Sequence, residues 1–159
     1  MKLNKQRRME NKTNYRKRLI LLKGKSPRLV VRKTNRYIIV QIVESVDAQD
    51  KIIYSGNTKE LLKHGWPKDK EGSLKSVAAA YLIGLLVGKK AKGIKERVIL
   101  DLGLIPNTKG SKIYAVVKGI SDSGIEINYD EEVIPSKERL EGKDTKVGDI
   151  FAKIKDKIK

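Results

Sequence analysis

Arg28-Leu-Val-Val-Arg-Lys-Thr-Asn-Arg-Tyr-Ile-Ile-Val-Gln-Ile-Val-Glu-Ser-Val46 contains two runs rich in β-branched residues, Arg28 to Lys33 and Tyr37 to Val46, divided by the polar turn Thr34-Asn35-Arg36. The pattern predicts an antiparallel hairpin. Successive strand side chains point to opposite faces, so Leu29 and Val31 share one face while Arg28, Val30 and Arg32 share the other. The hairpin therefore carries a basic row beside a basic tip. A third strand, Lys51 to Ser55, follows Asp47 to Asp50. Asn57 with Glu60 three residues on makes a capping signal for a short helix through Lys63. His64 to Gly72 reads as a loop, and Leu74 to Ala91 as a long helix whose Ala78, Ala79, Ala80, Gly84 and Gly88 allow close packing on a sheet. Arg97 to Leu102 is apolar on nearly every side chain, which predicts a central strand covered on both faces. Ser111 to Ser123 is a second strong helix, with Ile113, Val116, Val117 and Ile120 on one face and Gly124 as its C-terminal cap. Three strands, a helix, a strand and a helix predict an α/β fold with a mixed sheet, in which the strand, helix, strand passage makes a right-handed parallel crossover.

Upstream of the hairpin the chain changes character. Residues 1–36 hold fourteen Lys or Arg against the single acid Glu10, a net of +13 out of the formal +17. Like charges in such density repel one another until a polyanion arrives, and the polyanion best matched to them is a nucleic acid. Within this arm, Thr13 to Lys23 predicts a helix docking on the body by the stripe Tyr15, Leu19 and Leu22. At the other end, Thr145 to Lys159 alternates Ile150, Ile154 and Ile158 with Lys153, Lys155 and Lys157, a basic amphipathic helix. The domain expectation is a basic extension over residues 1–26, an α/β body over 27–142 and a C-terminal helix over 143–159.

Several chemistries are disfavoured by composition and spacing. No cysteine is present, so there is no thiol nucleophile and no cysteine metal site, in keeping with a cytosolic protein. The longest apolar run, Val77 to Gly88, is too short for a membrane span, and the N-terminus lacks the apolar stretch of a secretory signal. Gly24-Lys25-Ser26 and Gly84 to Lys89 imitate pieces of a phosphate-binding loop without its glycine spacing or its preceding strand. The strand order resembles the ribonuclease H-like arrangement, which raises a metal nuclease, and Asp101 stands where one ligand would sit. That chemistry needs several converging carboxylates, yet the first strand and the long helix carry none. His64 has no partner histidine, and Trp66 reads as a core anchor. Eight aromatic residues support shape and phosphate recognition better than broad base stacking.

Two loops add to the arm. Arg32-Lys-Thr-Asn-Arg-Tyr37 packs three cations, an amide and an aromatic into six positions. Asn107-Thr-Lys-Gly-Ser-Lys112 puts hydroxyls and two lysines at a helix N-terminus, where backbone amides and the dipole favour a phosphate.

The chain resembles the universal 5S-rRNA-binding protein family of the large ribosomal subunit, the eighteenth large-subunit protein, in its archaeal and eukaryotic form. The likeness is carried by Lys12-Thr-Asn-Tyr-Arg-Lys-Arg-Leu19, Pro27-Arg-Leu-Val-Val-Arg-Lys-Thr-Asn-Arg36, His64-Gly-Trp66, Ala80-Tyr-Leu-Ile-Gly-Leu-Leu-Val-Gly88, Leu100-Asp-Leu-Gly-Leu104, Gly110-Ser-Lys-Ile-Tyr-Ala115 and Lys118-Gly-Ile-Ser-Asp-Ser-Gly124. One departure is Asn128, which stands where the family often has proline. The resemblance implies a ribonuclease H-like βββαβα topology without catalysis, behind a basic N-terminal extension. It also implies a structural role in the central protuberance, binding 5S rRNA and joining it to large-subunit rRNA beside the fifth large-subunit protein. No enzyme activity, cofactor, metal, membrane or small-molecule substrate belongs to that expectation, and the location is the cytoplasmic ribosome. The candidate RNA-binding residues are Lys5, Arg7, Arg8, Lys12, Asn14, Tyr15, Arg16, Arg18, Lys23 and Lys25 in the arm. In the hairpin they are Arg28, Arg32, Lys33, Thr34, Asn35, Arg36 and Tyr37, and before the second strong helix Lys109, Ser111, Lys112 and Tyr114. The alternatives are a general DNA-binding or chromatin-like protein and, disfavoured, the metal nuclease.

Overall fold

Alternation in the hairpin is what seats the sheet on its helices. The computed structural model describes residues 5–47, 49–94, 96–143 and 147–158. Strands β1 (Arg28–Lys33) and β2 (Ile38–Val46) pair antiparallel, with Leu29 opposite Ile42 and Val31 opposite Val40. Those four side chains are fully buried. Strand β3 (Gln49–Asn57) continues the antiparallel run past the expected Lys51 to Ser55, with an irregularity in register between Ile42 and Val43. The final strand, β4 (Ile99–Asp101), lies parallel to β1, giving the order β3-β2-β1-β4. The mixed α/β class expected from the sequence is the one observed.

Two expectations about packing are corrected. The apolar passage from Arg97 to Leu102 does not form a central strand: β4 is three residues long and ends the sheet. Its apolar content serves other neighbours. Leu100 lies in register with Leu29 on the buried face, Ile99 meets the backbone at Gly24, and Val98 makes an isolated parallel bridge to Ile127 beyond the strand's free side. The glycines of the long helix α3 (Val77–Lys90) are also used differently. A Cβ on Gly84 would run into the carbonyl oxygen of Val116 and one on Gly88 into the Ser123 hydroxyl, while Gly119 of α4 (Lys112–Asp122) faces the carbonyl of Tyr81 in the same way, so the glycines of α3 press it onto α4, not onto the sheet.

Around this layer the local signals are realised. Ser76 accepts from the amide of Ala79 as the N-cap of α3, and Asn57 with Glu60 forms the capping box of a short 3₁₀ segment over Thr58–His64. Ile113, Val116, Val117 and Ile120 are buried on α4, and Gly124 turns away from it with φ +99°. Trp66 is a core residue whose indole donates to the carbonyl of Lys70. After the short α5 (Lys137–Glu141), the basic helix α6 (Gly148–Ile158) packs on α3 through Phe151, Ile154 and Ile158, with the Phe151 and Tyr81 rings 5.7 Å apart. Residues 145, 146 and 159 of the expected Thr145 to Lys159 helix lie outside the described residues. Among the described residues no helix is long and apolar enough to cross a membrane.

Candidate nucleic-acid interface

The arm begins with a single helical turn, α1 (Gln6–Met9), and continues as α2 (Tyr15–Lys23). The Asn14 side chain accepts from the amide of Lys17 and so starts α2, which ties this candidate to folding as well as to any ligand. Lys5, Arg7, Arg8, Lys12, Arg16, Lys23 and Lys25 are exposed. Tyr15 lies with its ring 4.5 Å beneath the Lys5 ammonium, and Arg7 donates to Thr13. The expected docking stripe of Tyr15, Leu19 and Leu22 is corrected: Tyr15 and Leu22 are only half-buried, Leu19 is 57% exposed, and no residue of α2 is buried. The helix is instead tied to the body by charge, through Arg18 to Asp50 at 3.2 Å.

Arg28 is the main correction among the candidate residues. It is 2% exposed, and its guanidinium donates to Asp101 at 3.0 Å, Asp50 at 2.7 Å and Ser45 at 2.8 Å. A buried guanidinium needs this full set of acceptors, and it leaves no face for a phosphate. Asp101 in turn accepts from Arg32 and from the amide of Gly103, whose φ of +61° brings bare backbone beneath the Arg32 guanidinium. The residue that sequence offered as a metal ligand thus sits between two arginines, and among the described residues no group of three or more His, Asp or Glu is placed to hold a metal.

At the hairpin tip the structure separates support from surface. Thr34 closes the turn, its hydroxyl accepting from the amide of Tyr37 and donating to the Tyr37 carbonyl, while the Tyr37 hydroxyl donates to Glu71 at 2.7 Å. Lys33, Asn35 and Arg36 remain exposed. Tyr114 is corrected in the same way as Arg28: it is buried, with its hydroxyl donating to Asn107. Ser111 is the N-cap of α4 without a side-chain capping bond, and Lys109, although exposed, pairs with Glu132 at 2.8 Å.

Lys112 joins the two loops. Burial pulls its ammonium below the ordinary lysine range, and the charges of Lys33 and Lys75 pull it further in the same direction. The charges of Lys33 at the hairpin tip and of Lys75 before α3 thus both reach Lys112 at the start of α4, although the three are separate in the chain. Sequence reading missed Lys75 because it stands alone before α3. A groove of about 620 Å³ runs between α2 and the loop after β4, lined by Arg7, Lys12, Lys17, Arg18, Arg32 and Lys33 together with Ile20, Leu21 and Leu104. Lys17 was likewise outside the candidate set.

Known proteins match the sequence along most of the chain. Residues 1–96 match the family described as "Ribosomal large subunit proteins 60S L5, and 50S L18". This chain belongs to that ribosomal family. It is 47% identical over 138 residues to the large ribosomal subunit protein uL18 of Korarchaeum cryptofilum, a match covering 86% of this chain and 68% of the relative. It is also 47% identical over 139 residues to uL18 of Caldivirga maquilingensis, covering 86% of this chain and 65% of that relative. The chain thus spans about two thirds of the length of these relatives. The family is one of proteins of the large ribosomal subunit.

Proposed function

We propose that this protein binds 5S rRNA and attaches it to large-subunit rRNA in the central protuberance, as a constituent of a particle that also holds the fifth large-subunit protein. The observation that carries the reading is the exposed hairpin tip of Lys33, Asn35 and Arg36, whose Lys33 charge also acts on Lys112 at the N-terminus of α4. Mutual repulsion at this point is relieved by an anion, and helix N-terminal amides donate to the same oxygens. The exposed cations of α1 and α2 extend this surface along the arm. A folded face with clustered phosphate sites recognises RNA by its shape, and the arm adds affinity by releasing counterions.

Competition at about 150 mM salt tests the reading, because purely electrostatic attachment is weak there. Labelled 5S rRNA is challenged with excess tRNA and excess duplex DNA. Binding that survives both supports recognition of 5S rRNA, whereas equal displacement makes the protein a generic polycation and moves the DNA-binding reading forward. If about ten phosphates are neutralised, the logarithmic salt slope is about 7 to 9. Deleting residues 1–25 is expected to weaken binding and flatten that slope while the body stays folded; undiminished affinity after the deletion counts against the arm's role.

A further inference from the structure

We propose that a segment of phosphodiester backbone lies in the groove between α2 and the loop after β4, held between Arg18 and Arg32, and that Asp50, Arg28 and Asp101 are positioning residues for those two arginines. This rests on the RNA-binding reading above. Five alternating charges form one row: Arg18 to Asp50 at 3.2 Å, Asp50 to Arg28 at 2.7 Å, Arg28 to Asp101 at 3.0 Å and Asp101 to Arg32 at 3.4 Å. Each carboxylate divides its oxygens in the same way. Asp50 offers Oδ1 inward to Arg28 and Oδ2 outward to Arg18, and Asp101 offers Oδ2 inward to Arg28 and Oδ1 outward to Arg32.

Burial follows the row. The central side chain of Arg28 is 2% exposed, whereas Arg18 and Arg32 at its ends are 39% and 42% exposed and both line the groove. Arg32 is further held by the Asp101 carbonyl at 2.9 Å and lies over Gly103. Asp101 is the one acid among the groove's lining residues, and it faces guanidinia on both sides. The groove therefore presents donors whose orientation is set before an anion enters. A planar guanidinium held in this way loses little freedom on meeting a phosphate.

Asp50→Asn separates positioning from charge by the sign of its effect. Removing an acid beside a cationic groove strengthens RNA binding by Coulomb attraction alone. Loss of a positioning residue weakens it, and the Kd for a 5S rRNA transcript is expected to rise by about fivefold, the size of one such ion pair. In the free protein, hydrogen exchange of the α2 amides is expected to quicken by more than that of β1 and β2. A Kd that is unchanged or lower, with wild-type binding intact, overturns the proposal. Should Asp50→Asn fail to fold, Arg18→Met and Lys17→Met decide: each removes one groove cation and lowers the salt slope by about one. Arg18→Met alone must cost extra affinity and quicken exchange in α2, and equal behaviour of the two variants overturns the proposal. If wild-type binding does not survive competition, the RNA reading has failed, and unchanged α2 exchange in these variants then overturns the positioning role on its own.

Discussion

Arg28 and Arg36 are both arginines of one hairpin, yet they have opposite fates. Arg28 is buried between two carboxylates, and Arg36 is exposed at the tip. Arg28→Ala is expected to destabilise the fold by about 3 kcal/mol, because it empties a buried site and takes from Asp101 and Asp50 the partner they share, as read from the urea midpoint. Arg36→Ala is expected to leave that midpoint unchanged and to lower the salt slope of RNA binding by about one. Asp50 supplies a pH signature. Burial raises its carboxyl, but the Ser45 hydroxyl and the charges of Arg28 and Arg18 outweigh this and hold it below the ordinary carboxylate range. A depressed folded value means the stabilisation is present above the unfolded value of about 4 and is lost as pH falls through the lower folded one. Urea titrations at pH 7 and pH 3 are expected to show a smaller acid-induced loss in Asp50→Asn than in the wild type. None of this is visible in the run Arg28 to Lys33, where alternation places Arg28 and Arg32 on the same face and assigns them the same role.

Among the elements, the hairpin, α3 and α4 were legible because each is specified by its own period and caps. The edge position of β4 was not. Burial on both sides of a strand is written in the same apolar letters whether the cover is a helix, another strand or the arm, so composition could not say which neighbour covers β4. The contact between α3 and α4 was half legible: small residues on α3 announced a close approach without naming its partner. Gly84→Ala is expected to cost about 2–3 kcal/mol, since its methyl group meets the backbone of Val116 and cannot be accommodated by a rotamer change. Thermal unfolding of that variant against Gly72→Ala, where a Cβ meets nothing within 4 Å, measures the difference. The arm helix α2 shows the reverse error. Its period suggested an apolar stripe, but Leu19 remains exposed and Tyr15 and Leu22 are only half-buried, and an ion pair from Arg18 to Asp50 joins the helix to the body.

Taken as one object, the protein separates its charges into those that build and those that wait. The Arg18 to Arg32 row builds, while Lys33 and Lys75 each repel Lys112. Lys75→Gln is therefore expected to raise the melting temperature by about 1–2 °C and to weaken 5S rRNA binding, a trade-off that calorimetry and a salt-matched binding curve measure together. A gain in both would separate Lys75 from the proposed interface. Composition was enough to establish a cationic arm on a body of ordinary charge, and short-range pattern was enough for the α/β class, because both depend on residues close together in the chain. Which cations face the solvent could not be had that way. Arg28 is turned inward by Asp50, 22 positions away, and by Asp101, 73 positions away, and the charge of Lys33 reaches Lys112 only through the fold. A charge is buried or left for a ligand according to the partners that folding brings to it, and those partners lie beyond the reach of any local pattern.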